Sequence, residues 1–78
     1  MKTLKEMTVG SIAVLSGIGG ERAFRRRLME MGLLPGTSVR LMRRVEIGGL
    51  VELRVRGCSV SLRFREAERL HFAADSHE

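Results

Sequence analysis

Apolar residues between positions 21 and 31 recur at the spacing of an α-helix. Phe24, Leu28 and Met31 lie three or four residues apart, and neither glycine nor proline interrupts the segment. The pattern predicts one short amphipathic helix whose buried stripe consists of these three residues. Gly32 stands where a left-handed residue commonly ends a helix, so we predict that the helix spans residues 21–31.

Short β-branched runs and a period of two occupy most of the remaining chain. Alternation of apolar and polar side chains is typical of strands with one buried and one solvated face. Glycine or proline stands between several of these segments, as expected at turns. Five segments are interpreted in this way, and we predict strands at residues 11–15, 38–45, 50–56, 59–64 and 70–72. The first strand leads into a glycine-rich loop at residues 16–20.

The turn between the third and fourth predicted strands sets their register. Gly57 followed by Cys58 suits a two-residue type II′ turn, in which glycine takes the first central position. This turn brings the apolar residues of both strands onto one face. The predicted pairs are Val55 with Val60, Leu53 with Leu62, and Val51 with Phe64.

The preceding hairpin needs a three-residue loop at residues 47–49 to keep its apolar residues together. In this loop Gly49 takes the left-handed conformation of a bulge. The predicted pairs are Leu41 with Val55 and Val45 with Val51. The same register points Arg43 into the core, so we expect a bulge or twist near Arg43 and Arg44 that relieves this burial.

These elements predict a mainly β fold, a small five-stranded closed barrel with one α-helix inserted after the first strand. The chain has 78 residues, and a domain of this size buries roughly 60% of the surface that its unfolded chain exposes. It can hold one thin core, which leaves little room for a deep catalytic cavity. We expect the domain to span residues 1–73 and a frayed polar tail to follow at residues 74–78.

The chain lacks the sequence features of membrane insertion and secretion. Its apolar runs are only a few residues long, whereas a membrane-spanning helix needs about 20 apolar residues. The N-terminal residues contain no apolar region typical of a secretory signal. The single cysteine, Cys58, cannot form an internal disulfide and suits a reducing compartment. We therefore expect a cytoplasmic protein.

Few residues could bind a metal or perform catalysis. A metal site needs three or four converging ligands, and the spacing of Cys58, His71 and His77 matches no known metal motif. We place Cys58 in a hairpin turn, His71 on a solvated strand face and His77 in the tail, where zinc binding between molecules would be adventitious. No nucleophile has a base and an orienting group, so we predict no enzyme activity, no cofactor and no physiological metal site.

Arginine dominates the charged residues, which raises the question of an acidic partner. The formal net charge is +5, and 12 of the 14 cationic side chains are arginine. Arginines can follow a phosphate backbone, so nucleic acid binding is an alternative function. Single-strand recognition usually displays aromatic platforms, but the chain has neither tryptophan nor tyrosine, and we predict that Phe24, Phe64 and Phe72 are core residues. A protein partner is therefore favoured.

Four segments, in this order, resemble the FeoA family. They are Arg-Leu-Met-Glu-Met-Gly-Leu-Leu-Pro-Gly at residues 27–36, Gly-Gly at 48–49, Gly-Cys-Ser-Val-Ser-Leu-Arg at 57–63, and Glu-Ala at 66–67. The first segment is the most specific, because it joins a helix stop and a turn at fixed spacing. Leu50 is a departure, since many members of the family have proline after the glycine pair.

This resemblance implies an SH3-like barrel and a cytoplasmic accessory role in bacterial ferrous iron uptake. The partner that it implies is FeoB, a membrane permease with a cytoplasmic GTP-binding domain. The same barrel forms the C-terminal domain of iron-dependent repressors of the diphtheria toxin repressor type, so a detached metalloregulator domain is an alternative. The chain has no DNA-binding helices in its sequence pattern, which argues against repression.

Two exposed groups of residues are the candidate partner surface. The predicted helix presents a methionine surrounded by arginines on its outward side, a combination suited to an acidic and partly apolar partner. These helix residues are Arg22, Arg25, Arg26 and Met29. The loop residues Ile47, Gly48, Gly49 and Leu50 offer a second exposed apolar point, which joins the helix patch if the barrel brings the two together. Simple solvation of a charged face is the alternative interpretation.

Overall fold

The computed structural model describes residues 2–73. The elements follow in the order β1 (Lys2–Thr3), a 3-10 turn (Leu4–Glu6), β2 (Ile12–Ile18), α1 (Arg22–Glu30), β3 (Ser38–Val45), β4 (Leu50–Val55), β5 (Cys58–Arg63), α2 (Phe64–Ala67) and β6 (Leu70–Phe72). The five predicted strands and the predicted helix are confirmed. The sequence pattern missed β1 and the 3-10 turn. It also missed α2, whose residues it assigned to a turn without a helix. The predicted tail, residues 74–78, lies outside the described residues.

The strands form an antiparallel sheet in the order β1-β6-β2-β3-β4-β5. The fold is therefore mainly β, as predicted. The two outer strands are β1 and β5, and within residues 2–73 no pairing between them closes the sheet. Closure into a five-stranded barrel stays a prediction.

Both central hairpins pair out of the predicted register. In the β4–β5 hairpin Leu53 lies opposite Val60, whereas the pattern predicts Leu62. In the β3–β4 hairpin Leu41 lies opposite Leu53, whereas the pattern predicts that Leu41 pairs with Val55. In the β4–β5 hairpin, and in β3 before its bulge, the shift is two residues, which keeps every side chain on its own face, so apolar alternation cannot detect it. Beyond the bulge in β3 the shift is one residue. The other predicted pairs are also replaced: the observed pairs are Val55 with Cys58, Val51 with Leu62, and Val45 with Leu50.

The β4–β5 turn explains the shift. Its two central residues are Arg56 and Gly57, and their φ angles of 54° and 81° are the left-handed values that a type I′ turn requires at both positions. Gly57 is thus the second central residue and not the first, and Cys58 begins β5. The type I′ turn matches the twist of the strands, which offsets the strain at Arg56.

A bulge interrupts β3 just before Arg43, close to the predicted position. The extra residue turns Arg43 towards solvent, where its Nε donates to Glu52 Oε1 at 2.8 Å. The predicted bulge near Arg43 and Arg44, expected because it keeps Arg43 out of the core, is therefore confirmed. Arg44 is half-buried instead, and its Nη2 donates to the carbonyl oxygens of Leu4 and Met7 at 2.9 and 2.7 Å. These bonds tie the N-terminal segment to β3.

The helix α1 buries less of its predicted stripe than its periodicity suggests. Leu28 is fully buried, Phe24 is half-buried, and Met31 is 38% exposed. Met31 turns outward because α1 ends at Glu30 and Met31 is its C-cap. One predicted member of the stripe is therefore wrong, and the helix rests on the sheet mainly through Leu28.

The core differs from the prediction mainly at residues outside or at the ends of the predicted elements. Leu4, Met7 and Leu33 are buried, which the patterns missed because these residues lie outside the predicted helix and strands. Phe72 is buried as predicted. Phe64 is 37% exposed because it begins α2 and does not continue β5, so its predicted core position is wrong.

Strand β2 continues past its predicted end at Leu15. It runs through Ile18, which is buried, with an irregularity in its pairing to β6 between Leu15 and Gly17. Most of the predicted glycine-rich loop is therefore strand. Gly19 and Gly20 remain in the connection to α1.

Candidate partner-binding surface

One exposed face of α1 carries the four predicted helix residues. A shallow surface depression is lined by Arg22, Arg25, Arg26, Met29 and Glu30. Residues three and four apart are neighbours on a helix surface, which explains why this set shares one side. Met29 is 38% exposed. Within residues 2–73 no ion pair joins these arginines to an acidic residue, so their charges face solvent.

The predicted loop at residues 47–49 is a tight turn between β3 and β4, but it is one residue longer than predicted, because Val45 pairs with Leu50 and residues 46–49 form the turn. Gly48 and Gly49 have φ angles of 95° and 64°, and the value at Gly49 confirms its predicted left-handed conformation. Ile47 is 92% exposed at the tip, and Leu50 is 38% exposed at the start of β4. The Gly49 carbonyl accepts a hydrogen bond from the N–H of Phe64 at 2.9 Å. The loop therefore lies against the beginning of α2.

Helix α1 and the loop both border α2, but at different residues. The loop meets α2 at Phe64, whereas α1 is joined to it by an ion pair between Arg27 and Glu66. No hydrogen bond or ion pair links the two groups directly in the described part of the chain. The structure thus gathers the four helix residues on one face and leaves the loop as a separate exposed point.

The contact between Arg27 and Glu66 holds α1 against α2. Arg27 Nη2 donates to Glu66 Oε2 at 2.6 Å, and Glu66 Oε1 accepts the N–H of Arg63 at 3.0 Å. The Arg27 guanidinium also lies 5.5 Å from the centroid of the Phe24 ring, within cation–π range. Sequence reasoning gave this pair no role, because its members are 39 positions apart. The Glu-Ala segment of the family resemblance was the available signal.

Glu66 stabilises the fold in its charged form. The backbone N–H of Arg63 and the guanidinium of Arg27 hold the pKa of Glu66 below its ordinary value, despite partial burial that acts the other way. A carboxyl pKa that is lower in the folded state contributes stability at pH values above its unfolded pKa. This contribution is lost as the pH falls through the folded-state pKa.

Glu66→Gln is therefore expected to be less stable than the wild-type chain at neutral pH and to approach it in acid. Urea unfolding at a series of pH values, from neutral to below the ordinary carboxyl range, measures the difference. Glu30→Gln is the matched control, because Glu30 is exposed on α1 and forms no ion pair within residues 2–73. A difference between Glu66→Gln and wild type that stays constant with pH would contradict the role of the charge.

The described residues offer no converging set of metal ligands. No group of three or more His, Cys, Asp or Glu side chains suited to a metal occurs among the described residues. Cys58 is exposed and begins β5, so its predicted place within the turn is wrong by one position. His71 is half-buried in β6, and His77 lies outside the described residues. Within residues 2–73 no helix is long and apolar enough to cross a membrane.

Comparison with known families identifies this arrangement of elements. The FeoA domain matches residues 2–72. The chain belongs to the FeoA family. This family is associated with ferrous iron transport and consists of small accessory domains, not of known enzymes. The predicted family is therefore confirmed over nearly the whole chain.

Solved FeoA structures are similar to the chain in sequence and fold. The FeoA protein of Chlorobium tepidum shares 31% identity and a TM-score of 0.83, with 96% of this chain and 74% of that one covered. Stenotrophomonas maltophilia FeoA, solved with zinc, shares 28% identity and a TM-score of 0.77, with coverage of 94% and 91%. It is described as a procaryotic SH3 domain protein and a candidate ferrous iron transport activating factor. A search of curated proteins finds no match.

Metal-dependent repressors share the fold alone. A manganese-dependent transcriptional repressor in complex with manganese has a TM-score of 0.84 at 18% identity, and the match covers 92% of this FeoA-family chain but 35% of the repressor. The likeness is thus to one part of a larger protein. It agrees with the expected relation in fold between the FeoA family and metalloregulators.

Proposed function

We propose that this chain is a non-enzymatic accessory module of bacterial ferrous iron uptake that binds the FeoB permease through its cytoplasmic GTP-binding domain. Membership of the FeoA family supports the link to ferrous iron transport. The proposed unit is the domain of residues 1–73. It works in the cytoplasm, because the domain that it binds lies there.

The exposed face of α1 is the observation that carries this proposal. Leu28 is fully buried and Phe24 is half-buried, so the opposite side of α1 is exposed. The face presents Arg22, Arg25 and Arg26 without acidic partners among the described residues. Complementary charge steers two proteins together and fixes their orientation. We therefore assign an acidic surface of the GTP-binding domain to this face.

Met29 supplies the apolar part of the proposed contact. Methionine has a flexible and polarisable side chain that fills irregular apolar recesses, and both Met and Arg are enriched at protein interfaces. Met29 lies among the arginines in the same surface depression. Ile47 in the β3–β4 loop is a second apolar anchor if the partner is wide enough to reach both.

Isothermal titration calorimetry tests the proposal directly. The titration uses the full chain and the purified cytoplasmic domain of the FeoB permease from the same genome. We expect saturable binding that weakens as salt is raised, since charges contribute to the contact. Random oligonucleotides serve as the comparison ligand. Absence of binding to the permease domain, or retention of nucleic acid through a high-salt wash, would reject the proposed role in transport.

A further inference from the structure

Among the described residues, strand β5 forms an open edge of the sheet. Every second residue of β5, beginning at Cys58, exchanges backbone hydrogen bonds with β4. This follows from the register of the two strands and from the hydrogen bond that the Phe64 N–H donates to the Gly49 carbonyl. The N–H and C=O groups of Ser59 and Ser61 therefore point away from the sheet. Within residues 2–73 no backbone group bonds to them.

This edge carries none of the usual protection inside the strand. Natural edge strands are commonly protected by lysine, proline, a bulge or a covering segment. The sequence of β5 contains neither lysine nor proline, and its pairing with β4 is regular. Ser59 and Ser61 are both exposed. The outward N–H of Arg63 is bonded to Glu66 Oε1 at 3.0 Å, so the open part of the edge ends there.

The solvated face beside this edge is basic. Arg54 of β4 lies opposite Ser59 of β5 and opposite Arg40 of β3. Like charges directly opposite each other in a sheet repel, and neither arginine forms an ion pair in the part of the chain that the structure describes. Glu52, a carboxylate of β4 on the same face, is already bonded to Arg43. This face therefore favours an added group of negative charge.

We propose that the β5 edge binds an extended acidic segment of another protein, which joins the sheet as an additional strand. The backbone of the segment bonds to the outward groups of Ser59 and Ser61. Side chains at every second position of an added strand share the solvated face with Arg54 and Arg63, so acidic residues at those positions fit. A second copy of this chain is a poorer occupant, because pairing two β5 edges would bring two basic faces side by side. The proposal does not rest on the permease contact of α1.

A synthetic peptide in which glutamate alternates with threonine is the probe for this edge. We expect saturable binding in calorimetry, together with slower hydrogen exchange at the amides of Ser59 and Ser61. The matched peptide with lysine in place of glutamate is expected to bind at least about tenfold more weakly, equivalent to 1.4 kcal/mol. A glutamate peptide N-methylated at the amides that face β5 is expected not to bind, because it cannot donate to the edge. Unchanged affinity of the methylated peptide would overturn strand addition.

Two charge reversals separate this site from general attraction to a basic protein. Arg54→Glu is expected to weaken binding of the glutamate peptide about tenfold. Arg69→Glu makes the same change of charge far from β5 in the strand order, because Arg69 lies beside Gly20 and directly before β6. This variant is expected to leave the affinity unchanged. Equal losses in the two variants would overturn the proposal. The proposal would also be overturned if the chain alone self-associates in sedimentation and the amides of Ser59 and Ser61 are protected from hydrogen exchange without any peptide. The occupant of the edge would then be a second copy of the chain.

Discussion

Replacing Leu28 with alanine is expected to lower the free energy of unfolding by roughly 2–5 kcal/mol, a large part of the stability of so small a domain. The side chain of Leu28 has an exposed fraction of 0%, and it is the fully buried residue of α1. Its truncation removes the main apolar contact of the helix with the sheet and leaves a cavity. The half-buried Phe24 ring and the ion pair of Arg27 would then hold α1 in place.

Urea unfolding of the two proteins measures this loss, and Met31→Ala is the matched control. Met31 has the helical spacing of a buried residue but is 38% exposed at the C-cap of α1. Substitutions of exposed residues usually change stability by less than about 0.5 kcal/mol. We therefore expect a large shift of the midpoint for Leu28→Ala and a small one for Met31→Ala. Equal shifts, or an unchanged midpoint for Leu28→Ala, would show that α1 does not pack through Leu28.

The sequence predicted which face each strand buries but not which residues pair. Side chains alternate with a period of two, so a register shift of two residues leaves Leu53, Val60 and Leu62 on the same side. The choice between registers depends on the turn. Glycine at position 57 favoured a type II′ turn, and the left-handed conformation of Arg56, which selects type I′, has no strong signal in its residue type.

The bulge in β3 was predicted from the sequence, but the side chain that it buries was not. Alternation predicted that a disruption is needed near Arg43, because a buried unpaired arginine is costly. It could not predict that the half-buried side chain would be Arg44, which bonds to carbonyl oxygens of Leu4 and Met7. Those acceptors belong to an N-terminal segment 37 to 40 residues away in sequence, so the partner is set by the tertiary path of the chain.

The sequence predicts the part of the candidate surface that depends on local spacing, but not the part that depends on contacts between distant residues. Helical periodicity suffices to place Arg22, Arg26 and Met29 on one side of α1, because residues three and four apart are neighbours. The position of the loop at Ile47 relative to that face depends on how the sheet curves, which no local pattern records. The contact of Arg27 with Glu66 is also non-local and had to come from the structure.

The double reversal Arg22→Glu with Arg26→Glu is expected to weaken binding to the FeoB cytoplasmic domain by more than about tenfold at moderate salt. The two arginines lie one turn apart on the exposed face of α1 and have no acidic partner within residues 2–73, so their reversal breaks no ion pair described there. Reversal turns attraction into repulsion for an acidic partner, and the loss should shrink as salt screens both effects.

Met29→Asp separates the apolar part of the same contact from its charge. The 38% exposed side chain of Met29 can accept aspartate without opening the core. If Met29 fills an apolar recess of the partner, the carboxylate must be desolvated there, and the resulting loss of affinity should depend little on salt. Calorimetry at low and moderate salt measures both variants, with circular dichroism as the control for folding. Wild-type affinity in both variants would remove the α1 face from the interface and move attention to the loop at Ile47.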